Sequence, residues 1–163
     1  CLVTVGSDEK ADFCRRFGAR HAINYRTTTD FATEVKAHTA GEGVDVILDM
    51  VGAPYFKRNL SLLRRDGRLV YVAFLEGSKA ELDLMPVMLK RLTITGSTMR
   101  PRTKDEKAAI RDALVTHLWP QFDQGKLWPH IHARFPLAQA AAAHRLMESR
   151  QHIGKIILTV RAA

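Results

Sequence analysis

The sequence predicts an α/β fold built on a parallel sheet, and three observations support this. Short β-rich runs alternate with longer amphipathic runs almost throughout the 163 residues, an order typical of βαβ units with right-handed crossovers. The run from Gly43 to Gly52 is nearly continuous in apolar residues and is β-branched at Val44, Val46 and Ile47. Such a run favours a strand covered on both faces, as parallel sheets require.

The first half of the chain supplies two strand–helix pairs before this central strand. Residues 2–5 predict a short strand, after which Ser7 is a good N-cap for a helix that stops at Gly18. Residues 22–25 predict a second strand. Thr29 or Asp30 then caps a helix that runs to about His38.

After the central strand the alternation continues. Pro54 suits the first turn of a helix, where its missing N–H has no cost, and a stripe of Phe56, Leu60 and Leu63 predicts the buried face of that helix. Residues 65–67 predict a turn. The remaining elements of this half are a strand over 69–74, a short helix near 86–90, and a strand from Leu92 to Ser97.

The regular alternation of predicted strands and helices changes near residues 119–129. Residues 104–122 give the longest helical pattern, for which we expect an inward face carrying Ala108, Ile110, Leu114 and Leu118. Beyond it the sequence predicts a strand over 128–135, an alanine-rich helix over 137–147, and a closing strand over 156–160. This change in the alternation suggests that the C-terminal tail belongs to a different layer of the fold.

Composition bounds the class of protein. A hydrophobic content of 46% and a charged content of 26% are those of a globular domain, and no apolar run approaches the roughly 20 residues of a membrane span. A formal net charge of +8 would suit binding of a polyanion such as nucleic acid. The cations are dispersed along the sequence, however, and they are not interleaved with the aromatic residues on which bases stack. Neither Cys1 nor Cys14 lies in a C-x-x-C motif, so we expect no disulfide framework and a cytoplasmic location.

Two groups of residues could carry chemistry. In dinucleotide-binding folds the end of the second strand meets the adenine ribose, where an acid suits NAD and a cation suits NADP. Here Gly6 and Ser7 end the strand predicted over residues 2–5, and Lys10 follows one helical turn later. A helix N-terminus and a positive charge could therefore hold a phosphate at this position. Tyr25 would reach the same pocket if the two strands are adjacent. The alternatives are an ordinary cap with a surface lysine, and a packing tyrosine.

A histidine pair offers the one metal-like pattern. His130 and His132 would lie on one face of a strand, in a geometry that zinc can use. No third ligand is apparent, so we expect a surface pair and no metal site.

Several segments, taken in order, resemble the zinc-independent quinone oxidoreductase branch of the medium-chain dehydrogenase/reductase superfamily. The matching segments are Gly6-Ser7-x-x-Lys10, Phe17-Gly18-Ala19-x-x-Ala22-Ile23-Asn24-Tyr25, Gly43 to Gly52, Asp66-Gly67-Arg68-Leu69-Val70, Leu92 to Thr98, and His152-Ile153-Gly154-Lys155-Ile156. They cover nearly all of the chain. The order of the set is more specific than any single motif.

The resemblance implies a Rossmann-like parallel sheet with helices on both faces, which binds NADPH and partners a GroES-like catalytic domain. It assigns residues 1–125 to a partial dinucleotide-binding domain and 126–163 to a tail that packs on the catalytic domain. It places the 2′-phosphate of NADPH on Gly6, Ser7, Lys10 and Tyr25, with Arg150 nearby. Further cofactor-lining residues are implied at Met50, Val51, Ala73, Phe74, Leu75, Thr98 and Met99. No catalytic residue is implied, because the nicotinamide carries the hydride.

The chain also departs from this family pattern. Members carry a first strand and a glycine-rich pyrophosphate loop just upstream of the position matching Cys1, and both are absent from these residues. We therefore expect part of a longer chain, in which the strands at Leu2 and Val44 either meet directly or leave an open edge. We also expect these residues alone to bind NADPH weakly and to be inactive.

Three functional hypotheses follow. The first is the cofactor-binding portion of an NADPH-dependent quinone or enone oxidoreductase. The second is a non-catalytic nucleotide- or polyanion-binding module, and the third is part of a zinc-dependent alcohol dehydrogenase. Under the first we expect a small-molecule quinone or enone substrate, no nucleic acid, no membrane, and a homodimer through the edge strand from Leu92 to Ser97. Flanking cations at Lys90, Arg91, Arg100 and Arg102 could instead keep monomers apart.

Overall fold

The computed structural model describes residues 1–160. They divide into two compact units, the first spanning Cys1–Pro101 and the second beginning at Arg102. The predicted division after residue 125 separates a cofactor domain from a tail by function, and it stays a prediction. Within residues 1–160, none of the helices has both the length and the apolar character needed to cross a bilayer.

The first unit alternates strands and helices as predicted. Its elements are β1 (Leu2–Val5), α1 (Asp8–Arg16), β2 (His21–Asn24), α2 (Phe31–His38), β3 (Val44–Asp49), a 3-10 turn (Ala53–Tyr55), α3 (Phe56–Leu62), β4 (Leu63–Tyr71), α4 (Met85–Lys90) and β5 (Thr93–Gly96). All strand pairs are parallel, in a two-stranded sheet β1-β2 and a three-stranded sheet β3-β4-β5. The α/β class and the parallel sheet are therefore confirmed.

Side-chain caps set where the first two helices begin. The Ser7 hydroxyl accepts a hydrogen bond from the Lys10 backbone N–H at 3.3 Å, and so begins α1. For α2 the cap is Asp30, whose carboxylate accepts from the backbone N–H groups of Ala32 and Thr33, both at 3.2 Å. Of the two residues predicted as alternatives for this cap, the structure uses the aspartate.

One hydrophobic cluster supports both sheets of the first unit. Ile23 of β2 packs with Phe31 and Val35 of α2, and Leu2 and Val44 lie against the same cluster. No hydrogen-bonded pairing joins β1 to β3 in the described chain. Of the two arrangements expected for these strands, the structure therefore has the one with open edges, held near each other by side-chain packing.

Helices cover the two sheets unequally. Adjacent strand residues face opposite sides, and both Ala22 and Ile23 are buried, so β2 is covered on both faces. On β3, Ile47 packs into the core beneath α3, whereas Val46 and Leu48 are 59% and 65% exposed. The expectation of helices on both faces is thus met by β2, while the Val46–Leu48 face of β3 carries no such cover.

The predicted turn at residues 65–67 lies inside β4. The register jumps from Val44↔Leu63 to Val46↔Arg68, so the residues between loop out of the ladder. Asp66 has a φ of 63° and accepts two hydrogen bonds from the Arg91 guanidinium, at 2.8 and 2.5 Å. The turn chemistry is as predicted, although the strand continues through it.

The second unit contains α5 (Lys104–His117), α6 (Trp119–Asp123), β6 (Ile131–Pro136), a 3-10 turn (Leu137–Gln139), α7 (Ala140–Glu148) and β7 (Lys155–Thr159). Strands β6 and β7 pair in parallel.

The long helix predicted over 104–122 is two helices, and this part of the prediction was wrong. Pro120 lies in the first turn of α6, because proline has no N–H to continue the preceding helix and its ring clashes with the turn before it. The inward face was also mispredicted in part. Leu114 and Leu118 are 41% and 40% exposed, because α5 within this unit packs mainly on the short α6.

Candidate functional site

The carboxyl ends of the parallel strands in the first unit bring most of the predicted site residues to one edge. Parallel α/β sheets place ligands at this edge. At the end of β1, Gly6 and Ser7 lead directly into α1, whose N-terminal N–H groups and dipole favour an anion. Lys10 follows one turn into that helix. Three of the four residues predicted for the phosphate thus lie within five positions on one strand–helix turn.

The fourth, Tyr25, comes from the neighbouring strand. Its backbone N–H donates to the Val5 carbonyl at 3.0 Å, which extends the β1–β2 pairing by one residue. A Cβ built on Gly6 would lie only 2.8 Å from the Tyr25 hydroxyl oxygen. A side chain at position 6 would therefore collide with the phenol, and glycine allows the Tyr25 hydroxyl to lie against the backbone there. We call the surface formed by Gly6, Ser7 and Tyr25 the cradle.

Arg26 was missed by the sequence analysis. It follows Tyr25 directly, and its Nε would lie 3.5 Å from the same Cβ on Gly6. Its backbone N–H donates to the Asn24 side-chain oxygen at 3.0 Å, which fixes the turn that carries it. The available signal was its position, since a cation immediately past the end of β2 must lie at the same edge as Ser7.

A buried carboxylate organises the end of β3. Asp49 is 4% exposed and accepts hydrogen bonds from the backbone N–H groups of Val51 at 2.5 Å and Gly52 at 3.0 Å. Its other oxygen accepts from the side-chain amide of Asn59, at 2.5 Å, and Asn59 is 3% exposed. All three donors are neutral, so hydrogen bonds alone compensate the burial of this acid.

Two loops beyond β3 and β4 are joined as a continuation of the sheet. The backbone N–H groups of Val72, Leu75 and Glu76 donate to the carbonyls of Asp49, Met50 and Val51 at 2.9, 3.0 and 3.0 Å. Ala53 N–H donates in return to the Gly77 carbonyl, at 2.9 Å. Gly52 has a φ of 100°, and a Cβ there would collide with that same carbonyl. The predicted lining residues on these two loops therefore form one connected rim.

The rim presents apolar side chains. Met50, Phe74 and Leu75 are exposed large hydrophobic residues, and the ring of Phe74 lies 4.9 Å from that of Tyr71. Burial first, and the neighbouring Asp49 charge second, raise the pKa of Tyr71 above its ordinary value. A flat, partly apolar ligand could lie against this rim, because the backbone polar groups beneath it are already paired.

Thr98 and Met99 follow β5 at the same edge. The Ser97 N–H donates to the Tyr71 carbonyl at 2.8 Å, so the chain leaves β5 beside the rim, and Met99 is exposed. Arg150 belongs to the second unit, at the turn after α7, with a φ of 59°. Its predicted place near the phosphate stays a prediction.

Tyr55 is a second residue that sequence reasoning missed. Its ring packs 4.6 Å from that of Phe31. Burial first, then electrostatic interactions with Tyr25, Glu76 and Asp49, raise its pKa, while Arg58 opposes them. The phenol therefore stays protonated near the edge residues. It was overlooked because it falls outside the apolar stripe of α3.

The histidines of the second unit do not assemble a metal centre. The ring of His132 lies 6.4 Å from that of His152, and its Nδ1 accepts from the Ile153 backbone N–H at 3.4 Å. Across the residues that the structure describes, no three His, Cys, Asp or Glu side chains come together in a way that could hold a metal ion.

Comparison with known proteins identifies what the chain is similar to. A family model described as zinc-binding dehydrogenase matches residues 17–158. A 2-haloacrylate reductase from a Burkholderia species is 32% identical over 164 aligned positions, covering 98% of this chain and 47% of the relative. The chain thus spans about half the length of the curated relatives that it matches.

Solved structures give the same picture. An Escherichia coli quinone oxidoreductase complexed with NADPH superposes with a TM-score of 0.78 at 26% identity, over 97% of this chain and 49% of that one. An NAD-dependent alcohol dehydrogenase superposes with a TM-score of 0.76 at 31% identity, over 97% and 43%. The predicted resemblance, to the C-terminal cofactor-binding part of such enzymes, is confirmed.

The name of the matching family implies zinc, but residues 1–160 do not fit a zinc site. They bring together no set of three ligating side chains, and structural and catalytic zinc sites both need at least three from the protein. No step is therefore assigned to zinc on these residues.

Proposed function

The chain belongs to the zinc-binding dehydrogenase family, and we propose that it is the cofactor-binding portion of an NADPH-dependent quinone or enone oxidoreductase. The observation that carries the proposal is the cradle of Gly6, Ser7 and Tyr25 at the N-terminus of α1, with Lys10 one turn on. NADPH would supply a hydride and solvent a proton, so that a quinone becomes a hydroquinone. The residues of this chain would bind and orient the cofactor.

The site favours NADPH over NADH on electrostatic grounds. An NAD-binding site would place an acid at the end of β1, where this chain has Gly6 and Ser7. The acid that follows, Asp8, is directed to Asn24, whose side-chain amide donates to its carboxylate at 2.8 Å. A phosphate at the N-terminus of α1 would therefore meet a helix dipole, a hydroxyl and a lysine.

The apolar rim supports a place for the rest of the cofactor. Met50, Val51, Ala73, Phe74 and Leu75 lie on the two joined loops, which are fixed by Asp49 before any ligand arrives. Thr98 and Met99 extend this surface past β5. We assign these residues to the adenine and nicotinamide side of the site.

The test is oxidation of NADPH by the full-length protein in the presence of a quinone or an enone. The reaction is monitored as the loss of nicotinamide absorbance. The proposal fails if no such acceptor is reduced. A polyanion-binding module would instead show retention on DNA or heparin that falls steeply with salt, and would consume no NADPH.

An alcohol dehydrogenase is the second candidate, favoured by the 31% identity to an NAD-dependent alcohol dehydrogenase of known structure. It would carry its zinc ligands outside residues 1–160. Reduction of NAD⁺ by an alcohol, abolished by a chelator and restored by zinc, would establish this candidate and displace the first.

We further propose a homodimer formed through β5, in the cytoplasm. This strand is the outer strand of its sheet, and its residues are exposed. Two of the four flanking cations, suggested above as guards against pairing, are bound to groups of their own unit. Lys90 Nζ donates to the carbonyls of Leu60, Ser61 and Leu63 at 3.0, 3.1 and 2.8 Å, and Arg91 pairs with Asp66. The edge of β5 is thereby left open to a second copy.

A further inference from the structure

Arg26 is an arginine at the candidate phosphate cradle that the proposed function has not used. It is exposed, it follows the last residue of the β1–β2 pairing, and its Nε lies close to the space above Gly6. The Tyr25 hydroxyl oxygen lies against the same position, and the next residue along the chain, Ser7, is the N-cap of α1. The side chain of Arg26 thus lies beside Gly6 and Tyr25, two of the residues proposed to hold a phosphate.

The guanidinium of Arg26 differs from those of its neighbours in having no protein partner within residues 1–160. Arg15 is bound to Asp12 and to the Ala22 carbonyl, at 2.6 and 3.1 Å. Arg58 lies 4.9 Å from the centre of the Phe31 ring and 4.0 Å from Asp30. Those two side chains therefore already have protein partners, whereas the charge of Arg26 is available to a ligand.

The backbone of Arg26 is nevertheless fixed. Its N–H donates to the side chain of Asn24, and that same side chain donates to Asp8 in the first turn of α1. Asn24 therefore ties the turn after β2 to the start of α1 on both sides of the cradle. An arginine held in this way loses less freedom on binding than one on a mobile loop.

We infer that Arg26 is a specificity-determining residue for the 2′-phosphate of the cofactor, acting with Lys10 at the cradle of Gly6, Ser7 and Tyr25. This rests on the proposed function. The phosphate carries close to two negative charges near neutral pH, so one lysine alone leaves part of that charge uncompensated. A guanidinium offers a planar pair of donors that matches two phosphate oxygens, which a lysine cannot do.

The test measures binding of half-cofactor probes to the full-length protein by calorimetry, so that no turnover is needed. Adenosine 2′,5′-bisphosphate carries the phosphate in question, and 5′-AMP lacks it. We expect Arg26→Gln to weaken the bisphosphate roughly tenfold to a hundredfold, the effect of losing a charged hydrogen bond, with 5′-AMP changed less than about twofold. The affinity of Arg26→Lys for the bisphosphate should lie between those of the wild type and Arg26→Gln. Lysine keeps the positive charge but lacks the paired N–H donors of the guanidinium.

Arg20→Gln is the matched control. Arg20 is also exposed and lies just before β2, at the opposite end of the strand from Arg26. It should leave both probes unchanged. A second expected signature is a shallower dependence of bisphosphate affinity on salt in Arg26→Gln, because one ionic contact has been removed.

The outcomes separate this inference from the proposed function. If Lys10→Ala weakens the bisphosphate and Arg26→Gln does not, the inference is overturned and the proposed function stands. If wild-type protein binds both probes equally, both are overturned. Equal losses for Arg26→Gln and Arg20→Gln, or equal losses for both probes at an unchanged melting temperature, would show an unspecific effect of charge and overturn the inference.

Discussion

Gly6 shows how closely a single residue can determine this site. Because a Cβ there would lie 2.8 Å from the Tyr25 hydroxyl oxygen, any side chain would displace the phenol from its present position. The glycine is required for space at this position, since its φ is not among the positive values of the chain. The lack of a side chain at position 6 therefore determines where the Tyr25 phenol can lie.

We predict that Lys10→Ala weakens NADPH far more than NADH in the full-length protein. Loss of a charge-assisted phosphate contact amounts to roughly 1.5–3 kcal/mol, and NADH has no phosphate at that position. The measurement is the KM for each cofactor, with Lys57→Ala, an exposed lysine of α3, as the control. Equal effects of Lys10→Ala on the two cofactors would refute the assignment.

A second residue-scale prediction concerns two stacked histidines. The rings of His21, in β2, and His38, in α2, lie 3.6 Å apart. Partial burial first, then the charges of His38 and Arg20, lower the pKa of His21 below its ordinary 6.5. The unfolded chain then binds this proton more readily than the folded one, so the free energy of unfolding falls as pH drops below about 6.5 toward the lowered pKa.

His38→Phe should flatten this pH dependence, because it keeps a stacked ring and removes the neighbouring charge. Thermal midpoints measured between about pH 5 and 7.5 would test it, with His144→Phe in α7 as the control. A slope unchanged in His38→Phe but reduced in the control would show that the acid sensitivity arises elsewhere.

At the scale of elements, the rim formed by the loops after β3 and β4 depends on one buried acid. Asp49→Asn replaces an acceptor with a donor in a site that supplies only donors. We expect a loss of roughly 1–3 kcal/mol in the free energy of unfolding, the cost of leaving buried donors unpaired. Denaturant titration of the variant and of Asp45→Asn gives the measurement.

Asp45 is the appropriate comparison because it lies on the same strand but is exposed, with Arg64 at 3.4 Å. A surface pair of this kind contributes about 0–1 kcal/mol. If both variants lost the same stability, Asp49 would be an ordinary strand residue and the fixed rim would lack its support.

At the scale of the whole molecule, the outer edge of β5 is the surface through which we expect two copies to pair. Ser97 N–H donates inward to Tyr71, and N–H groups alternate in direction along a strand, so that of Thr95 also points to β4 and that of Ile94 points outward. Ile94→Pro should therefore remove an outward donor while leaving the β4 ladder intact. We expect the proline variant to sediment as a monomer.

Ile94→Ala keeps the outward N–H and is the control, which should remain dimeric. A wild-type protein that sediments as a monomer, or a folded proline variant that stays dimeric, would remove β5 from the interface.

A final prediction is that residues 1–163 alone bind NADPH only weakly. They contain no glycine-rich turn for the pyrophosphate, and that contact normally rests on such a turn and a helix N-terminus. Calorimetry on the 163-residue chain gives the measurement, and submicromolar binding would contradict the prediction.

The sequence by itself determined the order of elements and the ends of most of them. Ser7, Gly18 and Pro54 fix local backbone geometry whatever surrounds them, so the elements they bound were predicted correctly. The ordered motifs also determined the family. The prediction from local sequence was wrong at Pro120, where one helix ends and another begins. The apolar pattern continues across this break, so the pattern alone does not reveal it.

Only the tertiary structure decided which side chains meet. The position of Tyr25 over Gly6, with Arg26 beside them, depends on the pairing of β1 with β2. The hydrogen bond between Asp49 and Asn59 likewise joins residues that are distant in sequence. The tertiary structure also decided that β1 and β3 share a core without pairing and that Leu114 and Leu118 stay exposed. The physical reason is that periodicity specifies a face of an element, whereas burial depends on what packs against that face.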